Sequence, residues 1–267
     1  MKQKAYVIGS SVSKSMSPLI FNYWFKKTNI NAEYIYKEIE TKNFEKEISQ
    51  ILMDDNVLGF NVTIPFKELI LKKLSNAEKH ATNIGAVNCV SRGGKGWTGT
   101  NTDWIGFLKP LIKMKENINI KKTKPIIIGY GGASKAIIYA LQKEGFKEIK
   151  VFNRSYIKMK NLKNSDNLKK FKLTELHNHL TGSGLIINTT PVNTLIGLEE
   201  KINKDSVGYD IVYTPQQTNF LSCFKKEKRI YGIDMLISQA APCFEGWFGK
   251  KPPIDKGLYN LLYKHIL

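Results

Sequence analysis

The sequence predicts an α/β protein with two domains. Along the first hundred residues, short apolar strands alternate with helical segments, which is the order expected of an α/β layer structure. The alternation begins again at residue 126, where a strongly apolar strand ends in glycines and opens a helix. Further short apolar runs lie at 149–152, 185–188, 208–212 and 230–232. They suit a parallel sheet, so we expect an N-terminal α/β domain followed by a Rossmann-like, doubly wound domain.

The elements of the first domain follow from apolar runs and turn residues. Pro18 stands at a first helical position, which predicts a helix from Ser17, and Pro65 is expected to open another helix. Residues 44–53 predict a helix. The glycines of 92–95 are typical of a hairpin turn. The strands are predicted at 5–9, 34–39, 58–63, 86–91 and 96–100.

The remaining segments are assigned by pattern and polarity. Residues 104–119 predict a connecting helix, and the polar run 121–125 leads into the next strand. Residues 163–172 are polar and predict a loop or an exposed helix. The tail 234–267 returns to helical periodicity with an interruption at 249–253, and its length allows it to pack on either domain.

Composition excludes several classes of protein. The chain has 267 residues, 42% of them apolar, which is enough for a sizeable core. No run approaches the roughly 18 to 20 apolar residues of a membrane span, and the N-terminus turns into a strand too early for a signal peptide. We therefore expect a cytoplasmic protein without a membrane partner. Cys89, Cys223 and Cys243 are widely spaced, so neither a disulfide framework nor a metal site is indicated.

The net charge of +18 raises the question of a nucleic-acid partner. The lysines are spread along the whole chain among many asparagines and are not interleaved with aromatic residues. This distribution favours solvated lysine-rich faces, although a nucleic-acid-binding protein on a Rossmann-like scaffold remains an alternative. We expect no nucleic-acid partner, and the basic surface would attract anionic small molecules.

The glycine-rich turn after residue 128 indicates a dinucleotide site. Backbone N–H groups at such a turn and the positive end of the following helix can approach a pyrophosphate closely. Twenty-one positions after Gly132, the next strand ends in Asn153-Arg154-Ser155. An arginine at this place suits the 2′-phosphate of NADP, whereas NAD enzymes usually have an acid. Only three of the 41 cationic residues are arginines, so Arg154 favours NADP over the alternative of a plain turn residue.

Four polar clusters in the first half each lie at the end of a predicted strand or the start of a helix. They are residues 13–18, 61–67, 85–88 and 100–103. Ligands of α/β proteins bind at such places, and hydroxyl and amide side chains could bind a hydroxylated acid. Taken singly, Ser17, Thr63 and Asp103 could be helix caps and Asn88 a strand amide.

In combination, these clusters resemble the motifs of the shikimate dehydrogenase family. The matching segments are 15–18 with Asn22 (Ser-x-Ser-Pro), 59–67 (Gly-x-Asn-Val-Thr-x-Pro-x-Lys), 85–88 (Gly-Ala-x-Asn), 101–103 (Asn-Thr-Asp) and 235–240 (Met-Leu-x-x-Gln-Ala). The resemblance covers nearly the whole chain. It implies a substrate domain of residues 1–104 and 238–267, an NADP-binding domain of residues 105–237, and C-terminal helices that return to the first domain.

The resemblance also implies the reaction and the residues of the site. The reaction is the reversible NADPH-dependent reduction of 3-dehydroshikimate to shikimate in chorismate and aromatic amino acid biosynthesis, carried out by a monomer or homodimer. A quinate/shikimate dehydrogenase of mixed specificity is the alternative. The implied catalytic residues are Lys67 and Asp103. Together with these two, the implied substrate-binding residues are Ser15, Ser17, Asn61, Thr63, Asn88, Tyr213 and Gln239. The implied cofactor-binding residues are Gly129, Gly131, Gly132, Ala133, Ser134, Asn153, Arg154, Ser155, Lys158, Ile211 and Gly232.

Overall fold

A computed structural model describes residues 2–94, 96–115, 123–160 and 167–266. The described chain forms two compact units. One contains the residues up to Asp103 together with Gln239–His265, and the other contains Trp104–Ser238 with Ile266. Each unit is built on its own six-stranded sheet, so the predicted α/β class with two domains is confirmed.

Strands and helices alternate through most of the chain. The strands are β1 (Gln3–Gly9), β2 (Ala32–Glu38), β3 (Val57–Val62), β4 (Asn76–Ala77), β5 (Cys89–Gly93), β6 (Gly96–Thr100), β7 (Ile126–Ile128), β8 (Ile149–Asn153), β9 (Leu168–Lys172), β10 (Leu185–Asn188), β11 (Val207–Asp210) and β12 (Arg229–Ile230). The helices are α1 (Ser17–Thr28), α2 (Phe44–Met53), α3 (Lys67–Leu71), α4 (Lys79–Ile84), α5 (Asp103–Lys115), α6 (Gly132–Lys143), α7 (Asn219–Ser222), α8 (Gly232–Phe248) and α9 (Lys256–Tyr263). Within the described residues, no helix is both long and apolar enough to span a lipid bilayer.

The sheet of the first unit is mixed, with the strand order β2-β1-β3-β5-β6-β4. β1 pairs in parallel with β2 and β3, whereas β5 runs antiparallel to β3. β5 and β6 form the hairpin that the glycines of 92–95 predict. The parallel strands β1 and β3 end next to each other, and the polar clusters of residues 13–18 and 61–67 lie at or just after these strand ends.

The sheet of the second unit has the order β12-β11-β10-β7-β8-β9, and all its pairs are parallel. The chain proceeds outward from β7 in one direction through β8 and β9, and in the other through β10 to β12. This is the doubly wound arrangement, in which ligands bind at the carboxyl ends of the strands where the winding reverses. β7 carries the glycine turn at this point.

Burial on both faces explains why β7 reads as three consecutive isoleucines. Ile127 packs in one apolar cluster with Ile187 of β10, whereas Ile126 and Ile128 pack in another with Ile186. Side chains alternate between the two faces of a strand, so a sheet covered on both faces needs an apolar residue at every position.

The C-terminal helices pack on the first unit, as predicted. The rings of Phe21 and Tyr34 stack with centroids 4.0 Å apart, and the indole of Trp247 in α8 lies 5.6 Å from Phe21. Trp24 in α1 donates its indole N–H to the carbonyl of Pro253 at 2.8 Å. Burial of these large rings beside β2 stabilises the return of the chain.

The structure corrects one element and adds others. The prediction of a loop or exposed helix over 163–172 is wrong for its second part, because β9 occupies Leu168–Lys172. The short elements β4, α4 and α7 were not predicted. The helix predicted over 104–119 runs from Asp103 to Lys115, and residues 116–122 lie outside the described residues, as do 161–166.

Candidate active site

Lys67 and Asp103 form a largely buried ion pair in the first unit. Each is the first residue of a helix, Lys67 of α3 and Asp103 of α5. The ammonium Nζ lies 2.5 Å from the carboxylate Oδ2, and the two side chains are 12% and 6% exposed. A charged pair with so little exposure is costly unless its remaining polar atoms are also hydrogen-bonded.

Asn88 provides that hydrogen bonding for Asp103. Its amide Nδ2 donates to Asp103 Oδ1 at 2.8 Å and also contacts Thr102 Oγ1 at 2.9 Å and Gln239 Oε1 at 3.2 Å. Its Oδ1 accepts from the backbone N–H of Thr102 at 2.6 Å. Asn88 therefore fixes the carboxylate and also contacts Gln239, which the chain brings back from α8.

The backbone around Asp103 is held by its own sequence. Asn101 Oδ1 accepts from the N–H of Asp103 at 3.0 Å, while its Nδ2 donates to the carbonyl of Ala86 at 2.9 Å. Asparagine readily makes such a side-chain turn. The predicted clusters 85–88 and 100–103 are thus joined by hydrogen bonds and form one structure.

The side-chain amide of Asn61 is hydrogen-bonded to other residues of the first unit. Its Oδ1 accepts from the hydroxyl of Tyr34 at 2.8 Å, and its Nδ2 donates to the carbonyl of Asn88 at 3.1 Å and contacts the thiol of Cys243 at 3.2 Å. Asn61 thereby holds the backbone at Asn88, the residue just before β5. A direct contact between Asn61 and substrate stays a prediction.

The buried thiol of Cys243 was not predicted to belong to the site. Its Sγ lies 3.4 Å from Thr102 Oγ1 and 3.4 Å from the carbonyl of Gln239. A hydrogen bond with Cys243 and burial raise the pKa of Cys89 well above its ordinary value, so the Cys89 thiol stays protonated. A lone cysteine in a helical tail gives no sequence signal for such a position.

Ser15 and Thr63 lie in the loops that follow the neighbouring strands β1 and β3, and Ser17 lies where the first of these loops ends. Ser17 begins α1, and its N–H donates to Ser15 Oγ at 3.3 Å. A Cβ at Gly9 would lie 2.6 Å from both Thr63 Cγ2 and Val12 Cγ1, so the glycine lets the two loops approach across the end of β1.

The glycine turn of the second unit has a geometry that suits a pyrophosphate. Gly129 has a φ of +103°, which favours glycine, and a side chain there would meet Thr189 and Thr190. Nothing lies within 4 Å of a Cβ built on Gly131, the residue before α6. The first N–H groups of an α-helix have no partner within the helix, so those of Gly132 and Ala133 at the start of α6 are of the kind that bind anions.

Ser134 is buried, and its hydroxyl forms hydrogen bonds that stabilise the glycine turn. Its Oγ accepts from the N–H of Gly131 at 3.2 Å and lies 2.7 Å from Thr189 Oγ1, which in turn donates to the carbonyl of Ile128. A bond from Ser134 to a cofactor stays a prediction. The hydroxyl's visible role is to fix the shape of the glycine turn.

Arg154 is exposed at the carboxyl end of β8, beside the glycine turn of β7. Asn153 Nδ2 donates to the carbonyl of Ser155 at 2.9 Å, and a 3₁₀ turn with Lys158 follows. The other two arginines have structural partners: Arg92 pairs with Asp55, and Arg229 donates to the carbonyl of Phe224. A contact between Arg154 and a ligand at this strand end stays a prediction.

Ile211 and Gly232 are brought together by backbone packing. A Cβ at Gly232, which begins α8, would lie 2.6 Å from the carbonyl oxygens of Ile211 and Val212. Only glycine permits this approach between α8 and the segment that follows β11. Tyr213 lies two residues farther along that segment and is half-buried.

Asp210 anchors the same segment and was not predicted. Its carboxylate is 1% exposed and accepts from Val212 N at 3.0 Å, Asn188 Nδ2 at 3.1 Å and Thr218 Oγ1 at 2.6 Å. Burial raises the pKa of Asp210 even though these three hydrogen bonds favour its charged form.

Comparison with known proteins decides the family. The family model of the shikimate dehydrogenase substrate-binding domain matches residues 7–90, and the model described as shikimate / quinate 5-dehydrogenase matches residues 111–208. A curated relative, the shikimate dehydrogenase (NADP(+)) of Caldicellulosiruptor saccharolyticus, is 35% identical over 92% of each chain. The chain belongs to the shikimate dehydrogenase family.

Solved structures agree with this assignment. The crystal structure of shikimate dehydrogenase from Aquifex aeolicus is 34% identical, covers 99% of this chain and 97% of its own, and superposes with a TM-score of 0.85. The enzyme from Thermus thermophilus, solved in complex with NADP(H) and shikimate, is 26% identical with a TM-score of 0.84, and covers 98% of this chain and 99% of its own. The predicted family is confirmed.

Proposed function

We propose that the protein catalyses the reversible NADPH-dependent reduction of 3-dehydroshikimate to shikimate, a step in the biosynthesis of chorismate and aromatic amino acids. The observation that carries the proposal is the buried Lys67–Asp103 pair, held by Asn88 within a chain that belongs to the shikimate dehydrogenase family. Its curated relatives are named as NADP(+)-dependent shikimate dehydrogenases.

Each of the two domains binds one of the two reactants. We assign substrate binding to residues 1–104 and 238–267 and NADP binding to residues 105–237. Support for the first assignment is the hydrogen-bonded cluster of Lys67, Asp103, Asn88 and Gln239 within one unit. Support for the second is the doubly wound sheet with its glycine turn.

Lys67 is the proton donor of the proposed reduction. Conversion of a ketone to an alcohol adds a hydride to carbon and a proton to oxygen, and NADPH supplies the hydride. The ammonium of Lys67 hydrogen-bonds the C3 carbonyl oxygen of 3-dehydroshikimate, stabilises the negative charge that develops there and transfers its proton. In the oxidation of shikimate, neutral Lys67 takes the proton back from the C3 hydroxyl.

Asp103 orients Lys67 and balances its charge. Its Oδ2 holds the ammonium while Asn88 holds its Oδ1, so the carboxylate cannot rotate away. Within the same proposal, the remaining polar groups bind the hydroxyls and the carboxylate of the substrate. They are Ser15, Ser17, Asn61, Thr63, Asn88, Tyr213 and Gln239.

The second unit fits NADP by its shape and charge. The glycine turn with Gly129, Gly131, Gly132, Ala133 and Ser134 would receive the pyrophosphate, because the φ of Gly129 and the open space at Gly131 leave the backbone accessible. The adenosine 2′-phosphate would bind to Asn153, Arg154, Ser155 and Lys158. Ile211 and Gly232 would lie near the nicotinamide.

The direct test is the loss of nicotinamide absorbance when purified protein meets 3-dehydroshikimate and NADPH, with NADH in a parallel assay. We expect rapid oxidation of NADPH and much slower oxidation of NADH. Folded protein that oxidises neither cofactor would overturn the proposal. Salt-dependent binding of such inactive protein to duplex DNA would favour the nucleic-acid alternative instead.

A dehydrogenase of mixed quinate and shikimate specificity is the second candidate. The family model that matches residues 111–208 is described as shikimate / quinate 5-dehydrogenase, so the match includes both substrates. The two candidates differ in kcat/KM for oxidation of quinate relative to shikimate. A ratio within about tenfold would favour mixed specificity, since tenfold corresponds to about 1.4 kcal/mol of discrimination.

The proposal also includes a cytoplasmic location and a monomeric or homodimeric state. Both the substrate and the cofactor are small anionic metabolites, and a cytoplasmic location gives the enzyme access to them. Cell fractionation tests the location, and light scattering on purified protein tests the oligomeric state.

A further inference from the structure

The carboxylate of Glu38 holds the loop that leads to the substrate serines. Its Oε1 accepts from the backbone N–H groups of Val12 and Ser13, both at 2.9 Å. Glu38 is the last residue of β2 and pairs in register with Gly9, the last residue of β1. The side chain therefore extends from the end of one strand to the loop that leaves the neighbouring strand.

The hydrogen bonds continue from Glu38 to the serines. The carbonyl of Val12 accepts from the N–H of Ser15 at 2.9 Å, and Ser15 Oγ accepts from the N–H of Ser17 at 3.3 Å. Val12 is thus fixed on both sides, by Glu38 through its N–H and by Ser15 through its carbonyl. Its side chain is 2% exposed, so the same residue also packs inside the unit.

The positions of the loop on either side of Val12 are exposed to solvent. Ser11, Ser13 and Lys14 are exposed, and within the described residues Ser10 also attaches the loop, because its N–H donates to the carbonyl of Ile64 at 3.2 Å. An exposed carboxylate normally remains solvated, whereas the carboxylate of Glu38 accepts hydrogen bonds from the N–H groups of two consecutive residues. The hydrogen bonds from Ser13 and Val12 lower the pKa of Glu38, so the side chain is ionised at neutral pH.

We infer that Glu38 is a positioning residue for substrate binding, which orients Ser15 and Ser17 through the loop of residues 10–16 without touching the substrate itself. The inference rests on the proposed function, in which these serines bind the substrate. A pre-oriented pair of hydroxyls avoids the entropy of ordering the loop when the substrate arrives. The reacting groups Lys67 and Asp103 are held by other contacts, so the effect of Glu38 falls on binding.

The test compares Glu38→Ala with Glu38→Gln. We expect Glu38→Ala to raise KM for 3-dehydroshikimate about tenfold, with kcat within about twofold of wild type and KM for NADPH unchanged. Glu38→Gln keeps a side-chain carbonyl that accepts from both N–H groups, so its KM should lie within about threefold of wild type. Glu33→Ala is the matched control, because Glu33 lies on the same strand and forms an ion pair with Lys2 at the surface, away from the loop.

Amide hydrogen exchange and the activity of wild type distinguish a failure of this inference from a failure of the proposed function. Amide hydrogen exchange of Val12 and Ser13 should become faster in Glu38→Ala, and it reports on the loop whatever the reaction is. If wild type does not reduce 3-dehydroshikimate, the proposed function fails independently of the loop. An unchanged KM in Glu38→Ala, or a KM in Glu38→Gln as high as in Glu38→Ala, would overturn the inference in an active enzyme, and unchanged exchange would overturn it in any case.

Discussion

The indole of Trp247 lies directly on the backbone of Gly59, so closely that a methyl group at residue 59 would overlap the ring nitrogen. The same nitrogen donates to the carbonyl of Val90 at 3.1 Å and contacts Ser91 Oγ at 2.9 Å. Gln239 and Cys243 precede Trp247 on α8 at spacings of four residues, which places all three on one helix face. The contact with Gly59 therefore also fixes the helix that carries Gln239 to Asn88.

Gly59→Ala should destabilise the protein. The strand and the indole are both buried, so the added methyl group forces a shift of packed atoms that costs about 1 to 3 kcal/mol. Urea denaturation of the variant measures this loss. Gly246→Ala is the control, because Gly246 precedes Trp247 on α8 but nothing lies within 4 Å of a Cβ there. Alanine at this exposed helical position should stabilise the protein by about 0.5 to 1 kcal/mol. Equal stability of the two variants would contradict the close contact.

Lys67→Ala should remove most of the turnover and leave binding nearly intact. A positioned proton donor contributes about 10² to 10⁴ in rate, so kcat for reduction should fall by that factor while KM changes only a few-fold. Steady-state kinetics with NADPH give both values. Lys72→Ala, which changes an exposed lysine just after the same helix, should behave as wild type. A Lys67→Ala enzyme with normal kcat would exclude Lys67 as the proton donor.

Arg154→Gln should weaken the binding of NADPH and leave the binding of NADH unchanged. Charge-assisted hydrogen bonds to a phosphate contribute about 1.5 to 3 kcal/mol, which corresponds to a rise of about 10- to 100-fold in Kd. Fluorescence titration of the reduced cofactors measures this without any turnover. NADH serves as the internal control because it lacks the 2′-phosphate. A parallel loss for both cofactors would show that Arg154 supports the fold of this region instead.

The sequence was most informative where glycine, proline and polar residues end the strands. The glycine turn of β7 and the hairpin between β5 and β6 could be predicted because their backbone requirements restrict the residue types directly. β9 could not, because its five residues are Leu-Lys-Lys-Phe-Lys and show no apolar alternation. Its stability comes from pairing with β8 and from the stacking of Phe171 on Phe152.

The polar network around Asn88 could also be predicted only in part from the sequence. Lys67 and Asp103 were predicted together because segments 59–67 and 101–103 resemble motifs of the family, and that resemblance implies both residues. Cys243 was not, since its neighbours Asn61 and Thr102 lie more than a hundred residues away in the chain and only the fold brings them to α8. Sequence patterns describe local structure well, but they do not specify which buried group meets another across a core.

The buried carboxylate of Asp210 should make stability depend on pH. Because burial raises its pKa in the folded state, the stability that protonated Asp210 contributes is fully present below the unfolded pKa and is lost as pH rises through the folded pKa. The stability of wild type relative to Asp210→Asn should therefore be greater at about pH 4, near the unfolded pKa, than at about pH 7. Thermal unfolding at both pH values measures the difference. A difference that is equal at the two values would contradict the shift.

The hydrogen bond between Tyr23 and Asp255 joins α1 to the start of α9. The Tyr23 hydroxyl donates to Asp255 Oδ1 at 2.6 Å, and the same oxygen caps α9 by accepting from Leu258 N. Burial and this bond raise the pKa of Tyr23 to about 12, while the bond lowers the pKa of Asp255. The bond therefore needs a protonated tyrosine and an ionised aspartate.

Tyr23→Phe should lower Tm most near neutral pH. The contribution of Asp255 is present above its unfolded pKa and is lost as pH falls through the folded value, whereas that of Tyr23 is present below its unfolded pKa and is lost as pH rises toward 12. The Tm values of wild type and variant should therefore become similar toward about pH 3 and toward about pH 11. Tyr36→Phe, at an exposed position on β2, serves as the control and should follow wild type throughout. A Tyr23→Phe deficit that stays constant across the range would show that the hydroxyl acts through packing and not through the bond to Asp255.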